Sequence, residues 1–132
     1  MSRKIAREVT MQALYQIELN GLNSFEEIQN FIIESAIKST EDAYVKNMIE
    51  ICFEHKAIID ENISKHLKNW TIDRLSKVDL SILRLAVSEI LYVEDIPTSV
   101  SINEAVNLAK KFSDEEASSY INGVLGSIEK DQ

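Results

Sequence analysis

SYINGVL, residues 119–125, sits between two fold classes. Asn122-Gly123 flanked by apolar residues is a strong short-range signal for a β-hairpin turn. The surrounding apolar residues, however, do not alternate as a strand requires. Ala117, Tyr120, Ile121, Val124, Leu125 and Ile128 recur at intervals of three and four, the period of one helix face. The stretch therefore reads as helix, and a glycine inside it costs about 1 kcal/mol relative to alanine. Something must offset that cost.

The rest of the chain agrees with the helical reading. Three glycines and one proline in 132 residues are too few for the turns of a sandwich or barrel, so the expected fold is all-α. The length predicts a single domain over residues 1–132, large enough to bury a core. A hydrophobic fraction of 45% argues against disorder. No apolar run is long enough to span a bilayer, and MSRKIAREVT lacks the apolar segment of a signal peptide, so a cytoplasmic protein is expected. Cys52 is the single cysteine, which excludes an internal disulfide framework or a thiolate metal cluster.

The formal net charge of −8 repels nucleic acid on average. The charge is nevertheless unevenly spread. Residues 1–22 carry three basic and two acidic side chains, and residues 63–84 carry five against two. Residues 23–62 and 85–132 each carry three against nine. The pattern predicts a small cationic patch on an acidic body.

Periodicity and caps place the helices. The first runs from about Arg3 to Asn20 with Gly21 as its stop. Ser24-Phe-Glu-Glu27 is a capping box for a second, with Phe25, Ile28, Ile32 and Ala36 facing inward. A long third helix, capped by Thr40, carries a stripe from Val45 through Ile59 to Leu67 and ends near Asn69-Trp70. Ser76-Lys-Val-Asp79 caps VDLSILRLAVSEILYV (78–93), which is apolar nearly all round and so belongs at the centre. Asp95-Ile96-Pro97 breaks the chain. Ser101-Ile-Asn-Glu104 and Ser113-Asp-Glu-Glu116 are the expected caps of the last two helices.

Catalytic chemistry finds little support. Cys52 and His55, three apart, could form a thiolate–imidazole pair, but no orienting third residue or Gly-rich oxyanion loop accompanies them. His55 and His66 are eleven residues apart, about three helical turns, too far to share a metal ion. Arg84 in an apolar helix requires an ion pair, with Glu89 or an acid on another helix. Trp70 and Arg74 read as a core aromatic with a basic residue over its edge. No phosphate loop, dinucleotide fingerprint, zinc-protease motif or serine-hydrolase elbow is present, so neither catalytic residues, cofactor nor metal is expected.

Cations and rings are the stronger signal. Arg3, Lys4 and Arg7 crowd the start of the first helix, where the helix dipole also favours an anion. Tyr15 follows on the Arg3, Arg7, Met11 stripe. Lys110-Lys111-Phe112 closes one late helix and Tyr120 lies in the next. Cations interleaved with aromatics suit single-stranded RNA, whose phosphates meet charge and whose bases meet rings. Such a surface requires Arg7 and Tyr120 to share one face.

Three segments together resemble the NusB family of transcription antitermination factors. They are RKIAREVTMQALY (3–15), LSILRLAVSEIL (80–91) and DIPTSVSINEAVNLAKKFSDEEASSYINGVL (95–125), with I-P, V-x-I-N-E-A-V-x-L-A-K and x-N-G-V-L in order. The resemblance spans essentially the whole chain. It implies about seven helices in two packed bundles, no catalytic activity, and binding of boxA-type single-stranded RNA from ribosomal RNA operon leaders. The partners implied are NusE, a small-subunit ribosomal protein, and the antitermination complex on RNA polymerase.

By position, the resemblance implies RNA contacts at Arg3, Lys4 and Arg7, with Tyr15 and Glu116 near the RNA. Tyr120 stands where the family has a phenylalanine, and Asp79 matches an acidic position linked to NusE. Lys110, Lys111 and Asn122 complete the expected RNA-binding set. Ile5 interrupts the family's run of arginines, which implies weaker affinity for RNA alone. Asn122 either caps a neighbouring backbone group or presents its amide to a base. Gly123 admits a neighbouring helix or an RNA backbone, with helix packing the expected reason. Two alternatives remain: an RNA-recognition accessory module like that fused to rRNA cytosine methyltransferases, a complete methyltransferase being disfavoured because no cofactor-binding Gly-rich segment is present, and a helical adaptor that binds only protein.

Overall fold

A computed structural model describes residues 2–35, 42–68 and 71–132. Among these are seven α-helices: α1 (Arg3–Leu19), α2 (Phe25–Glu34), α3 (Asp42–Glu54), α4 (Lys56–His66), α5 (Lys77–Tyr92), α6 (Thr98–Phe112) and α7 (Glu115–Lys130), with one 3₁₀ turn at Ile72–Arg74. No strand occurs among the described residues, so the all-α expectation holds. No helix among them is long and apolar enough to cross a membrane. The expected cap Thr40, the inward Ala36 and the Asn69-Trp70 stop lie outside the described residues.

α5 is the axis of the molecule. Leu80, Ile82, Leu83, Leu85, Ala86 and Val87 are all buried, which a helix achieves only when neighbours cover it on several sides. α1 and α3 pack on one side of it, and α4, α6 and α7 on the other, giving two bundles that share α5. α2 is peripheral. It lays Ile28 and Ile32 against α3, while Phe25 and Ile33 stay 63% and 73% exposed.

Local signals explain the ends of several helices. Ser24 Oγ accepts from the Glu27 N–H and donates to the Glu27 carboxylate, which also accepts from the Asn23 N–H, a variant of the capping box. Ser76 Oγ likewise accepts from Asp79 N–H. Gly21, at φ 65°, closes the turn after α1 in the left-handed region that favours glycine.

Three boundaries depart from the sequence reading. The long third helix is two, because the chain breaks at His55, whose ring stacks on Tyr92 of α5 at 4.1 Å. Ser101 does not cap a helix. α6 already begins at Thr98 behind Pro97, and Ser101 is buried inside it, where its hydroxyl donates to Glu89. α7 is capped by Asp114 rather than Ser113, since the Asp114 carboxylate accepts from Ala117 N–H at 2.7 Å.

Arg84 is paired, but not with Glu89. Its Nε and Nη2 donate to both Asp60 carboxylate oxygens at 2.9 Å, and Nη1 donates to Glu18 at 2.6 Å. This fork ties α5 to α4 and α1.

Candidate nucleic-acid interface

The N-terminal cations divide into surface and interior. Arg3 and Lys4 are exposed, whereas Arg7 is only 6% exposed. Arg7 Nε donates to Glu89 Oε2 at 2.9 Å and Nη2 to Oε1 at 3.4 Å. Ser101 Oγ donates to Oε1 at 2.7 Å, and the Tyr44 hydroxyl donates to Oε2 through a short hydrogen bond. One buried carboxylate thus gathers groups from α1, α3, α5 and α6. Burial penalises the Arg7 charge, but the hydrogen bond and ion pair with Glu89 more than offset this and raise its pKa. Pairing with Glu89 turns the Arg7 guanidinium inward, away from the surface at which the sequence places an RNA contact. A carboxylate buried in the apolar surroundings of α5 needs a paired cation, and Arg7 supplies it.

The remaining residues fall into two neighbouring groups. At the first, Lys111 Nζ donates to Glu8 at 2.8 Å and lies 5.3 Å from the Phe112 ring, which fastens the end of α6 to the first turns of α1. Lys110 is exposed beside it, and Tyr15 is half-buried farther along α1. At the second, Asp79, Glu116 and Tyr120 line one groove of about 330 Å³ with Arg74, Ser76 and Asp114. Within it Asp79 Oδ1 and the Tyr120 hydroxyl are buried without a hydrogen-bond partner among the described residues. Burial also raises the Tyr120 pKa, so the hydroxyl keeps its proton. Unsatisfied buried polar atoms are costly and so usually have a partner.

Arg7 bonds Glu89 and Tyr120 shares a groove with Asp79, two positions of α5 about 15 Å apart along the helix axis. Lys111, joined to Glu8, stands a few residues ahead of Glu116 in the chain. Asn122 is exposed on α7. Gly123 is also exposed, and a methyl group there would meet nothing within 4 Å, so helix packing is not what it serves. It lines a second groove of about 330 Å³ that meets the first at Tyr120, with His66, Lys68, Ser119 and Ser127.

Sequence reasoning missed Tyr44 and Glu89 at the cationic end and Arg74 in the groove. A buried arginine demands a buried acid, and Glu89 in an apolar helix was a visible candidate, although its partner was sought on its own helix.

The catalytic and metal alternatives gain nothing. Burial pushes the Cys52 thiol up to about 12 despite its contact with Ser88 Oγ at 2.9 Å, and His55 turns away to Tyr92. His66 is engaged by the Asn62 carbonyl and the Asp131 carboxylate, at 2.7 and 2.5 Å. Among the described residues, no cluster of three potential ligands could hold a metal ion.

The class of protein these features define is an all-helical, two-bundle binding domain with cations and rings on its surface. Residues 4–130 match the model of the NusB family. The Listeria monocytogenes transcription antitermination protein NusB is 48% identical over 97% of this chain and 96% of its own length. The NusB fold of T. maritima superimposes with a TM-score of 0.86 at 31% identity, over 100% of this chain and 93% of that one. A chain from a crystal structure of antitermination factors NusB and NusE with double-stranded RNA gives 0.84 at 34% identity, over 98% and 97%. The chain belongs to the NusB family.

Proposed function

We propose that this chain is a non-catalytic, cytoplasmic transcription antitermination factor. As a single domain over residues 1–132, it binds boxA-type single-stranded RNA jointly with NusE and joins the antitermination complex on RNA polymerase. Family membership supports this, as do the antitermination name of its relatives and a related structure that holds NusB, NusE and RNA together.

The observation that carries the reading is the groove at Tyr120. A half-buried ring, an unpaired hydroxyl and an unpaired carboxylate oxygen stand together there, beside Arg74. A base can stack on the ring, and a phosphate can meet the cation beside it. Arg3, Lys4, Lys110 and Lys111 supply further phosphate contacts, with Tyr15, Glu116 and Asn122 beside the strand and Asp79 toward NusE. The acidic remainder of the surface discourages other polyanions.

The test is a titration of boxA-type, scrambled and duplex RNA, each with and without NusE, at two salt concentrations. Preference for the boxA-type single strand, sharpened by NusE, is the expected result. Equal binding of all three RNAs under every condition would reduce the interaction to charge attraction and overturn the reading.

A further inference from the structure

The Glu89 cluster does more than bury Arg7. Tyr44, on α3, has its hydroxyl bonded to Glu89 and its ring half-buried, and on that ring lies the guanidinium of Arg3, 4.3 Å from the centroid. Arg7 approaches the same ring at 6.0 Å. The hydroxyl bond fixes the ring plane from the inside, and the ring in turn fixes an arginine at the surface. We propose that Tyr44 is a positioning residue that presents Arg3 to the RNA backbone, an inference that rests on the RNA-binding reading above.

The chemistry favours this arrangement. A guanidinium held over an aromatic face by cation–π attraction keeps its full charge, which a phosphate can meet. An unsupported arginine side chain near the first turn of a helix must surrender rotamer freedom when it binds, and a stacked one has already surrendered much of it. Burial first, and then the adjacent Glu89 charge, raise the Tyr44 pKa, so the hydroxyl remains a donor throughout the range in which the protein works. Arg7 and Ser101 hold the carboxylate that receives it. The chain of support runs from the interior outward: Ser101 and Arg7 fix Glu89, Glu89 fixes Tyr44, and Tyr44 places Arg3.

The experiment compares the full-length protein with Arg3→Ala, Tyr44→Phe, Tyr44→Leu and the Arg3→Ala/Tyr44→Leu double variant. Binding of a boxA-type RNA oligonucleotide is measured with NusE present across a salt series, and thermal melts report folding. Tyr44→Phe keeps the ring but loses the bond that fixes its plane, so its salt slope falls between those of the wild type and Tyr44→Leu. Tyr44→Leu weakens binding about two- to five-fold and flattens the slope by about 0.7, the share of one phosphate contact on a single strand. The double variant matches Arg3→Ala. Should Tyr44→Leu melt below the assay temperature, Tyr44→Met preserves the volume without the ring.

A wild-type slope in folded Tyr44→Leu or Tyr44→Met, alongside a flattened slope in Arg3→Ala, overturns the positioning role and leaves the RNA-binding reading standing. An unchanged slope in Arg3→Ala also overturns it. Absence of boxA preference in the wild type removes the functional reading, and this inference with it.

Discussion

Replacing Gly123 by alanine should make the protein more stable. The residue sits within α7, its φ is not positive, and a Cβ built on it meets nothing within 4 Å. No clash therefore opposes the change, and the position is too exposed for the methyl group to bury much area. What remains is helix propensity, about 0.8–1.0 kcal/mol in favour of alanine, part of it from the reduced entropy of the unfolded chain. For a domain of this size the gain corresponds to a rise in Tm of roughly 3–5 °C. Urea denaturation followed by circular dichroism should show a higher midpoint with an unchanged m-value. Gly126 is an internal comparison, since it too has nothing within 4 Å of a built Cβ. A Gly123→Ala protein no more stable than wild type, while Gly126→Ala gains the expected amount, would refute the reasoning. It would mean that something crowds position 123.

Four other perturbations test the rest of the structure. Gly21→Ala places a side chain at φ 65° and should lose about 1 kcal/mol, with Gly21→Asn losing less, by the same urea assay. Arg84→Ala removes the cation shared by Asp60 and Glu18, leaving Glu18 only Lys56 at 3.9 Å, and should cost about 3 kcal/mol, whereas a surface pair such as Lys65–Glu61 removed by Lys65→Ala should cost under about 1 kcal/mol. Hydrogen bonding to the Asn62 carbonyl and the Asp131 carboxylate raises the pKa of His66 against its burial. The clasp therefore contributes fully below about pH 6.5 and fades as pH rises through the elevated value; Asp131→Asn should reduce stability at low pH, with the difference from wild type shrinking toward high pH. The Cys52 thiol, pushed up to about 12 by burial, should resist alkylation in the native protein and react once urea unfolds it.

Which features could be read without coordinates follows from the range of the interactions involved. Helix class, the central place of α5, and the caps at Ser24 and Ser76 depend on residues within a few positions of each other. The false cap at Ser101 shows the limit of that approach. The same four-residue pattern occurs inside a helix when the serine hydroxyl has a tertiary acceptor, here Glu89, and Pro97 had already started α6. The break at His55 was hidden because Val45, Ile49, Cys52, Ile59 and Ile63 keep one stripe across it, and only the ring stacked on Tyr92 reveals it. At the candidate interface, Tyr120, Glu116 and Asp79 do converge. Arg7, by contrast, looked like a surface cation, because a partner 82 positions away is invisible to any local rule.

The loose seating of α2 has its own consequence. With two isoleucines, the partly buried Phe31 and the Gln29–Glu50 hydrogen bond holding it, and its outer stripe facing water, this helix can detach without opening the arrangement around α5. Its amide protons should exchange long before those of α5, through an opening that costs a fraction of the global free energy. The molecule would then pass through a transient six-helix form that keeps the Glu89 cluster and both grooves intact, and in which the face of α3 under Ile28 and Ile32 is briefly bare.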